Sequence, residues 1–187
     1  MADLALEAPS RLLSERFWRH FWPLPAHRRL ALGDRAPDFC LTQVQTQQPL
    51  RLSHFWGDRP VVLAFTRIFT ERHYCPLCFP HLITLRDAYP LFVQAGAELL
   101  LVVSTDLSQS QRVVQDLDLP MPVLSDSQGQ VFQQYGTGQA LGAPLPAQFV
   151  LDRYGRVRFW HQFSALSANA EPPRLLYALS TLPPPSA

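Results

Sequence analysis

The sequence predicts an α/β domain in which helices cover both faces of a mixed central sheet. Two continuous apolar runs, residues 61–66 and 97–104, have the length and composition of strands that are buried on both faces. Each run is followed by a segment with helical periodicity, which is typical of parallel strands joined by crossover helices. A hairpin near the end of the chain, residues 148–161, adds antiparallel strands, so the sheet is predicted to be mixed.

Residues 1–32 are predicted to form an arm ahead of a single domain over 33–183, with 184–187 as a frayed tail. Apolar side chains recur in the arm at helical spacing and should form one face of a helix, which Pro23 ends because proline interrupts helical hydrogen bonding. We expect this amphipathic helix to dock on the domain or on a second copy of the chain; contact with a membrane surface is the alternative. The apolar positions are Leu12, Leu13, Phe17 and Phe21, with Trp18 and Trp22 beside them.

The first elements of the domain lead toward a cysteine motif. Residues 39–44 and 50–52 flank a polar loop and are predicted to form a hairpin, in which Cys40 is expected to be a buried apolar thiol. After the first apolar run comes a loop and then a helix over 76–94. Gly96 is expected to end this helix, because glycine adopts the left-handed conformation of a helix C-cap without strain.

The elements after the second apolar run are short and separated by turns. A helix over 108–117 is expected to begin at Asp106 or Ser108, whose side-chain oxygen can accept a free N–H of the first turn. The Gly-rich segment 136–142 is predicted to be a flexible loop. The other predicted elements are a strand over 121–125, a helical turn over 131–135, a hairpin of 148–151 with 156–161, and a helix over 172–182.

Charge and composition exclude several functional classes. Lys and Arg number 16 and Asp and Glu 15, so the net charge of +1 gives no electrostatic argument for binding nucleic acid. There is no Lys, which excludes a Schiff-base Lys and a phosphate-binding P-loop. No apolar run approaches the roughly 20 residues of a membrane span. Three cysteines and no signal-peptide pattern predict a cytoplasmic protein without a disulfide framework.

The motif with the clearest chemistry is Cys75-Pro76-Leu77-Cys78, which follows the first apolar run and opens the predicted helix. Free N–H groups and the positive end of the helix dipole favour a thiolate at such a position. Arg67, Arg72 and His73 add positive charge nearby, which lowers a thiol pKa further. We therefore predict Cys75 as the exposed nucleophile and Cys78, one turn later, as the resolving thiol. Pro76 suits the first helical position because it lacks an N–H.

A zinc site is the alternative for this motif. The four candidate ligands would be two cysteines and two histidines, since structural zinc needs four ligands. There is no second CxxC pair, and His81 is expected on a surface turn of the helix, so no metal and no other cofactor is predicted. The candidate ligands are His73, Cys75, Cys78 and His81.

Several separate motifs, taken in order along the chain, resemble those of one family. The leader Gly-Asp-Arg-Ala-Pro-Asp-Phe (33–39), Leu-Ser-His-Phe-Trp-Gly (52–57) and Leu-Ser-Asp-Ser-Gln-Gly (124–129) surround the CxxC motif. They are followed by Pro-Ala-Gln-Phe-Val-Leu-Asp (146–152). This order resembles the AhpC/TSA branch, also called redoxin or peroxiredoxin-like, of the thioredoxin-like superfamily. The resemblance covers about residues 33–182 and implies a thioredoxin-like fold.

The resemblance also implies a role for Pro146, which matches the position of a cis-proline that faces the active cysteines in this fold. A cis bond would turn the backbone of Leu145 outward beside Cys75. The exposed N–H and C=O groups could then pair with an extended segment of a protein substrate.

The chain departs from the peroxiredoxin pattern at its peroxide-binding positions. A Pro and a Thr stand seven and three residues before the peroxidatic Cys of that pattern, where this chain has Ile68 and Arg72. An Arg stands three residues before the strand Phe, where this chain has Pro146. Peroxide reduction uses donors aimed at the developing charge. Here only Thr66, Arg67 or Thr70, folding back from the loop, could supply such donors.

Three hypotheses for function follow. The leading one is a thiol-dependent oxidoreductase that cycles Cys75 and Cys78 between dithiol and disulfide by exchange with a protein disulfide. The second is a peroxidase that reduces hydrogen peroxide or alkyl hydroperoxides through a sulfenic acid on Cys75. Both need a thioredoxin-type or glutathione-type electron donor. The third is a non-catalytic binding module with the same fold. The arm is also compatible with a homodimer.

Overall fold

A seven-stranded mixed sheet forms the centre of the protein in this computed structural model, which describes residues 15–70, 73–164 and 166–183. The predicted helical positions Leu12 and Leu13 and the tail 184–187 lie outside the described residues. The strands are β1 (Cys40–Gln43), β2 (Pro49–Arg51), β3 (Val61–Thr66), β4 (Ile68–Thr70), β5 (His73–Tyr74), β6 (Glu98–Val103), β7 (Val123–Ser125), β8 (Gln139–Ala140), β9 (Ala143–Pro144), β10 (Ala147–Leu151) and β11 (Val157–Gln162).

The strand order in the main sheet is β11-β10-β3-β6-β7-β1-β2. The central strands β3, β6 and β7 are parallel, and the strands on either side of them are antiparallel to their neighbours. The bounds of β3 are those that its apolar run predicts. The α-helices are α1 (Glu15–Arg19), α2 (Phe79–Gln94), α3 (Leu107–Leu117), α4 (Gln130–Gln134) and α5 (Pro172–Ser180).

Helices cover both faces of the sheet, as the sequence predicts. Along β3, Val62 and Ala64 pack in a cluster with apolar side chains of α2, α3 and α5. Leu63 and Phe65 point the other way, into a cluster that includes side chains of α4. Because successive side chains of a strand alternate between faces, one continuous apolar run supplies both cores. This arrangement is the mixed α/β architecture expected from the sequence.

The predicted helix boundaries are confirmed where a capping residue sets them. Gly96 ends α2 with φ +71°, and the N–H of Ala97 donates to the carbonyl of Phe92 at 3.0 Å. Asp106 is the N-cap of α3, and its carboxylate accepts the N–H of Gln109 at 2.8 Å.

Two short hairpins are absent from the sequence prediction. β4 and β5 pair within the loop that precedes Cys75, and β8 pairs with β9 inside the Gly-rich segment that was expected to be a flexible loop. Both hairpins are only two or three residues per strand, which is too short for a recognisable alternating pattern.

The prediction for Cys40 is wrong, because its side chain is exposed. Cys40 and Thr42 share the exposed face of β1, whereas Leu41 and Gln43 are half-buried on the other face. None of the described helices is long and apolar enough to cross a membrane.

Candidate active site

The two cysteines lie in a helical turn that leads from β5 into α2. The carbonyl of Cys75 accepts the N–H groups of Cys78 and Phe79, each at 2.9 Å, and α2 begins at Phe79. Pro76 therefore lies in the turn before the helix, so its predicted place as the first helical residue is wrong. This geometry leaves the thiols one turn apart with their side chains in contact, and the thiol of Cys78 donates a hydrogen bond to the sulfur of Cys75.

The surroundings of Cys75 favour a thiolate. Its pKa is lowered to about 6, first because the Cys78 thiol donates a hydrogen bond to its sulfur. The backbone N–H groups of Leu77 and Cys78 and the positive charge of Arg67 act in the same direction, against the effect of burial. Backbone N–H groups of the turn before α2 therefore contribute to the thiolate, although that of Cys78 also donates to the Cys75 carbonyl and is not free as the sequence predicts.

The surroundings of Cys78 favour the protonated thiol. Its pKa is raised because its proton is held in the hydrogen bond to Cys75, and because burial and the charge of Cys75 oppose a second thiolate. The side chain of Cys75 is only 6% exposed and that of Cys78 only 1%. Cys75 is thus the more accessible thiol, but the prediction of an exposed nucleophile is wrong, because Cys75 is buried.

Arg67 brings a buried positive charge to the thiol pair. Its guanidinium forms a hydrogen bond with Cys75, and its backbone N–H donates to the sulfur of Cys78. Burial lowers the pKa of Arg67, and the two cysteine sulfurs act against that shift. The same guanidinium donates to the carbonyls of Ala140 and Leu141 and lies over the ring of Phe69.

The hydroxyl of Thr66, at the end of β3, is buried in the same region. It has no hydrogen-bond partner in the part of the chain that the structure describes. The hydroxyl of Thr70 instead lies 2.8 Å from Nδ1 of His73 and accepts the N–H of that residue. Arg72 lies outside the described residues, so its predicted role beside the thiols stays a prediction.

The prediction of a cis bond before Pro146 is wrong, because no peptide bond of the described residues is cis. The N–H of Leu145 donates to the carbonyl of Gly138 at 3.0 Å, and the carbonyl of Pro146 accepts from Phe163 at 3.2 Å. The N–H of Leu145, which was expected to pair with a substrate segment, is therefore already paired within the chain.

A polar network behind the turn escaped the sequence prediction. Asn169 donates to the carbonyl of Leu77 at 3.1 Å, between the two cysteines, and accepts from Gln148 at 3.0 Å. Gln148 is fully buried in β10 and also accepts the N–H of Ala170 at 2.7 Å. A Gln inside an otherwise apolar strand is the one sequence signal that could have indicated this network.

His81 belongs to the same network. It is buried, so its predicted place on the helix surface is wrong. Its Nε2 lies 2.9 Å from the carbonyl of Ala170, and burial lowers the pKa of its imidazole. Within the described chain, no group of three or more His, Cys, Asp or Glu residues is arranged to hold a metal ion.

Known proteins resemble this chain in both fold and sequence. The model of the AhpC/TSA family matches residues 32–160. The chain is 29% identical over 130 residues to the thiol-disulfide oxidoreductase ResA of Geobacillus thermodenitrificans, covering 69% of this chain and 68% of that protein. It is 31% identical over 156 residues to the chloroplastic peroxiredoxin Q of Sedum lineare, covering 81% and 80%. The crystal structure of peroxidoxin BcpB from Mycobacterium tuberculosis superposes with a TM-score of 0.71 at 26% identity, covering 83% and 100%.

The chain belongs to the AhpC/TSA family. Its fold is thioredoxin-like, and the protein is a thiol-dependent redox enzyme, as the sequence motifs predicted. Relatives of both kinds, disulfide-exchange enzymes and peroxiredoxins, match it at similar identity.

Two of the three departures of this AhpC/TSA protein from the peroxiredoxin pattern concern an Arg and a Thr. Arg67 comes from the loop after β3 and reaches Cys75, although the position expected to carry an Arg holds Pro146. The second feature, the Thr three residues before the peroxidatic Cys, has Arg72 in its place. The loop thus places the Arg67 guanidinium beside the Cys75 thiolate, as the sequence suggested.

Proposed function

We propose that this AhpC/TSA protein catalyses thiol–disulfide exchange, with Cys75 as the attacking thiolate and Cys78 as the resolving thiol. The observation that carries the proposal is the hydrogen bond from the Cys78 thiol to the Cys75 sulfur within one turn. It favours one thiolate and one thiol in the same dithiol. A two-step exchange needs this arrangement, because Cys75 must attack as a thiolate while Cys78 stays protonated until the second step.

In the first step the Cys75 thiolate attacks one sulfur of a substrate disulfide. A bond forms between Cys75 and that sulfur, the substrate S–S bond breaks, and the other substrate sulfur leaves as a thiolate. The positive charge of Arg67 stabilises the attacking thiolate before the reaction.

In the second step Cys78 attacks Cys75 and displaces the bound substrate sulfur. As the Cys75 sulfur becomes neutral in the mixed disulfide, the charge that raised the pKa of Cys78 is lost. The proton of Cys78 passes to a released substrate thiolate. The substrate gains two electrons, and the enzyme ends as the Cys75–Cys78 disulfide. A thioredoxin-type or glutathione-type donor of the cytoplasm would then restore the dithiol.

Trapping of the mixed disulfide tests this division of roles. All variants carry Cys40→Ser, because the exposed Cys40 would otherwise react as well. With oxidised glutathione, Cys78→Ser should accumulate one glutathione on Cys75, detected by intact-protein mass. The Cys40→Ser parent should instead form the internal disulfide, and Cys75→Ser should form neither product.

Two results would contradict the proposal. A Cys75→Ser variant that still forms the glutathione adduct at the rate of Cys78→Ser would show that Cys75 is not the attacking residue. A parent protein that stays a dithiol across glutathione redox buffers that oxidise common CxxC proteins would show that exchange is not its reaction.

Peroxide reduction is the second candidate, and Arg67 is the observation that favours it. A guanidinium hydrogen-bonded to Cys75 can also donate to a peroxide oxygen as negative charge develops there. The thiolate and one proton would convert the peroxide to an alcohol or water and leave Cys75 as a sulfenic acid. Cys78 would then form the disulfide with loss of water.

Stopped-flow mixing with hydrogen peroxide, followed by Trp fluorescence, separates the two candidates. Exchange as the main reaction predicts a peroxide rate no faster than that of a free low-molecular-weight thiol of equal pKa. A much faster phase that is lost in Cys75→Ser, with Cys78→Ser trapped as the sulfenic acid, would make peroxide reduction the main reaction.

A further inference from the structure

The described part of the N-terminal arm is hydrogen-bonded to the β8–β9 hairpin through its backbone. Leu24 and Gln139 exchange two backbone hydrogen bonds, each 2.8 Å long. The N–H of Leu141 donates to the carbonyl of Phe21 at 3.2 Å, and the N–H of Gly142 donates to the carbonyl of His20 at 3.0 Å. The arm helix ends at Arg19, so the arm residues in this pairing are His20 and Phe21 of the following turn and the bridge residue Leu24.

Side chains complete the contact between the arm and the hairpin. The ring of Phe17 packs on Gly142, where a Cβ atom would overlap the ring. The side-chain amide of Gln139 donates to the carbonyls of Arg19 and Trp22, each at 3.2 Å. Glycine is needed at position 142 for this close approach, and its φ of +84° also favours glycine.

The opposite side of the same hairpin holds Arg67. Its guanidinium donates to the carbonyl of Ala140, and to that of Leu141 at 3.5 Å. These carbonyls belong to the turn that the arm binds through the N–H groups of Leu141 and Gly142. A continuous path of direct contacts therefore connects the arm, the hairpin turn, Arg67 and Cys75.

We propose that the N-terminal arm is a positioning element for the active site, which holds the β8–β9 turn so that its carbonyls aim the Arg67 guanidinium at Cys75. This inference rests on the proposed role of Cys75 as the attacking thiolate. A two-residue-per-strand hairpin has too few contacts to keep one conformation alone. Without the arm the turn relaxes, and the guanidinium loses the carbonyls that orient it.

The ionisation of Cys75 measures this effect directly, because the nearby positive charge helps to lower its pKa. The test uses the full chain in a Cys40→Ser background and follows the rate of iodoacetamide alkylation against pH. Phe17→Ala should raise the midpoint by about 0.5 to 1 pH unit, the range of a weakened single charge contact. The matched control is Trp22→Ala, an arm aromatic that is 74% exposed, and it should leave the midpoint unchanged.

A double-variant comparison tests whether the arm acts through Arg67. Arg67→Met alone should raise the midpoint, and adding Phe17→Ala to Arg67→Met should raise it no further. An equal shift from Phe17→Ala in both backgrounds would overturn the proposal, as would no shift in the native background. If Phe17→Ala lowers folded content by circular dichroism, Phe17→Leu gives the same comparison with a smaller loss of volume. Alkylation needs no disulfide substrate, so an inactive exchange assay leaves this test intact.

Discussion

Cys75 and Cys78 lie in one helical turn but have different electrostatic surroundings. The Cys75 sulfur accepts hydrogen bonds from the Cys78 thiol and from two backbone N–H groups, and it faces a guanidinium. The proton of Cys78 lowers the pKa of Cys75 only while it remains on the Cys78 sulfur. The pair therefore shares one negative charge, and the order in which the sulfurs react follows from which of them carries it.

Replacement of Cys78 should change the ionisation of Cys75 according to the hydrogen bond that the new side chain can donate. The alkylation midpoint of Cys75 should lie at about pH 6 with Cys78 present. Cys78→Ala removes the donor and should raise the midpoint by about 1 to 2 pH units. Cys78→Ser keeps an O–H donor and should raise it by less. Equal midpoints for the two variants would show that the hydrogen bond is not the main cause.

Some properties of the residues in and around the cysteine turn can be predicted from the sequence, and others cannot. The CxxC spacing and its place before a helix predict a nucleophile at Cys75, because both depend only on local backbone geometry. The burial of His81 and the pairing of Leu145 depend on partners about 90 and 7 residues away in the chain, Ala170 and Gly138. Local spacing carries no information about such partners, so both predictions were wrong.

The connection between β10 and the cysteine turn consists of side-chain amides. Gln148 in β10 donates to the side chain of Asn169 and accepts the N–H of Ala170. Asn169 in turn donates to the carbonyl of Leu77. The buried amide of Gln148 satisfies two groups and is costly to remove, because its partners then lose their hydrogen bonds. The strand therefore fixes the position of the turn between the two cysteines.

Gln148→Ala should lower the free energy of unfolding by about 1 to 3 kcal/mol, since it leaves the N–H of Ala170 and the oxygen of Asn169 unpaired. Guanidinium unfolding of the reduced protein measures the change. The matched control is Gln133→Ala on the exposed surface, which should change stability by less than about 0.5 kcal/mol. A similar loss in both variants would mean that the network does not stabilise the fold.

Long apolar elements were predictable, and short irregular ones were not. The runs of β3 and β6 are apolar at nearly every position because both faces are covered, and that pattern is visible in any sequence. The β4–β5 hairpin lies within the loop before Cys75, and the β8–β9 hairpin pairs with the arm. The arm thus reaches Arg67 through a hairpin that the sequence alone did not predict.

The redox state of the whole molecule is linked to its stability through Cys75. In the reduced protein its folded pKa is about 6, whereas an unfolded thiol has a pKa of about 8.5. Between these values the unfolded state binds the extra proton, so stability rises with pH by up to about 1.4 kcal/mol per unit. This contribution is complete above the unfolded pKa and is lost as pH falls through about 6.

The disulfide form has no thiol proton at either cysteine, so it should lack this pH dependence. The unfolding free energy of the reduced protein minus that of the oxidised protein should therefore increase between about pH 6 and about pH 8.5. Guanidinium unfolding of both forms at several pH values in this window measures the difference. Cys75→Ser cannot form the disulfide, so its unfolding free energy should neither differ between reducing and oxidising conditions nor increase over this pH range. A difference that stays flat with pH would mean that the folded and unfolded Cys75 thiols ionise alike. A stabilised thiolate also makes the disulfide easier to reduce. The reduction potential of the Cys75–Cys78 pair, relative to that of a reference dithiol with ordinary pKa values, should therefore become more oxidising as the pH rises.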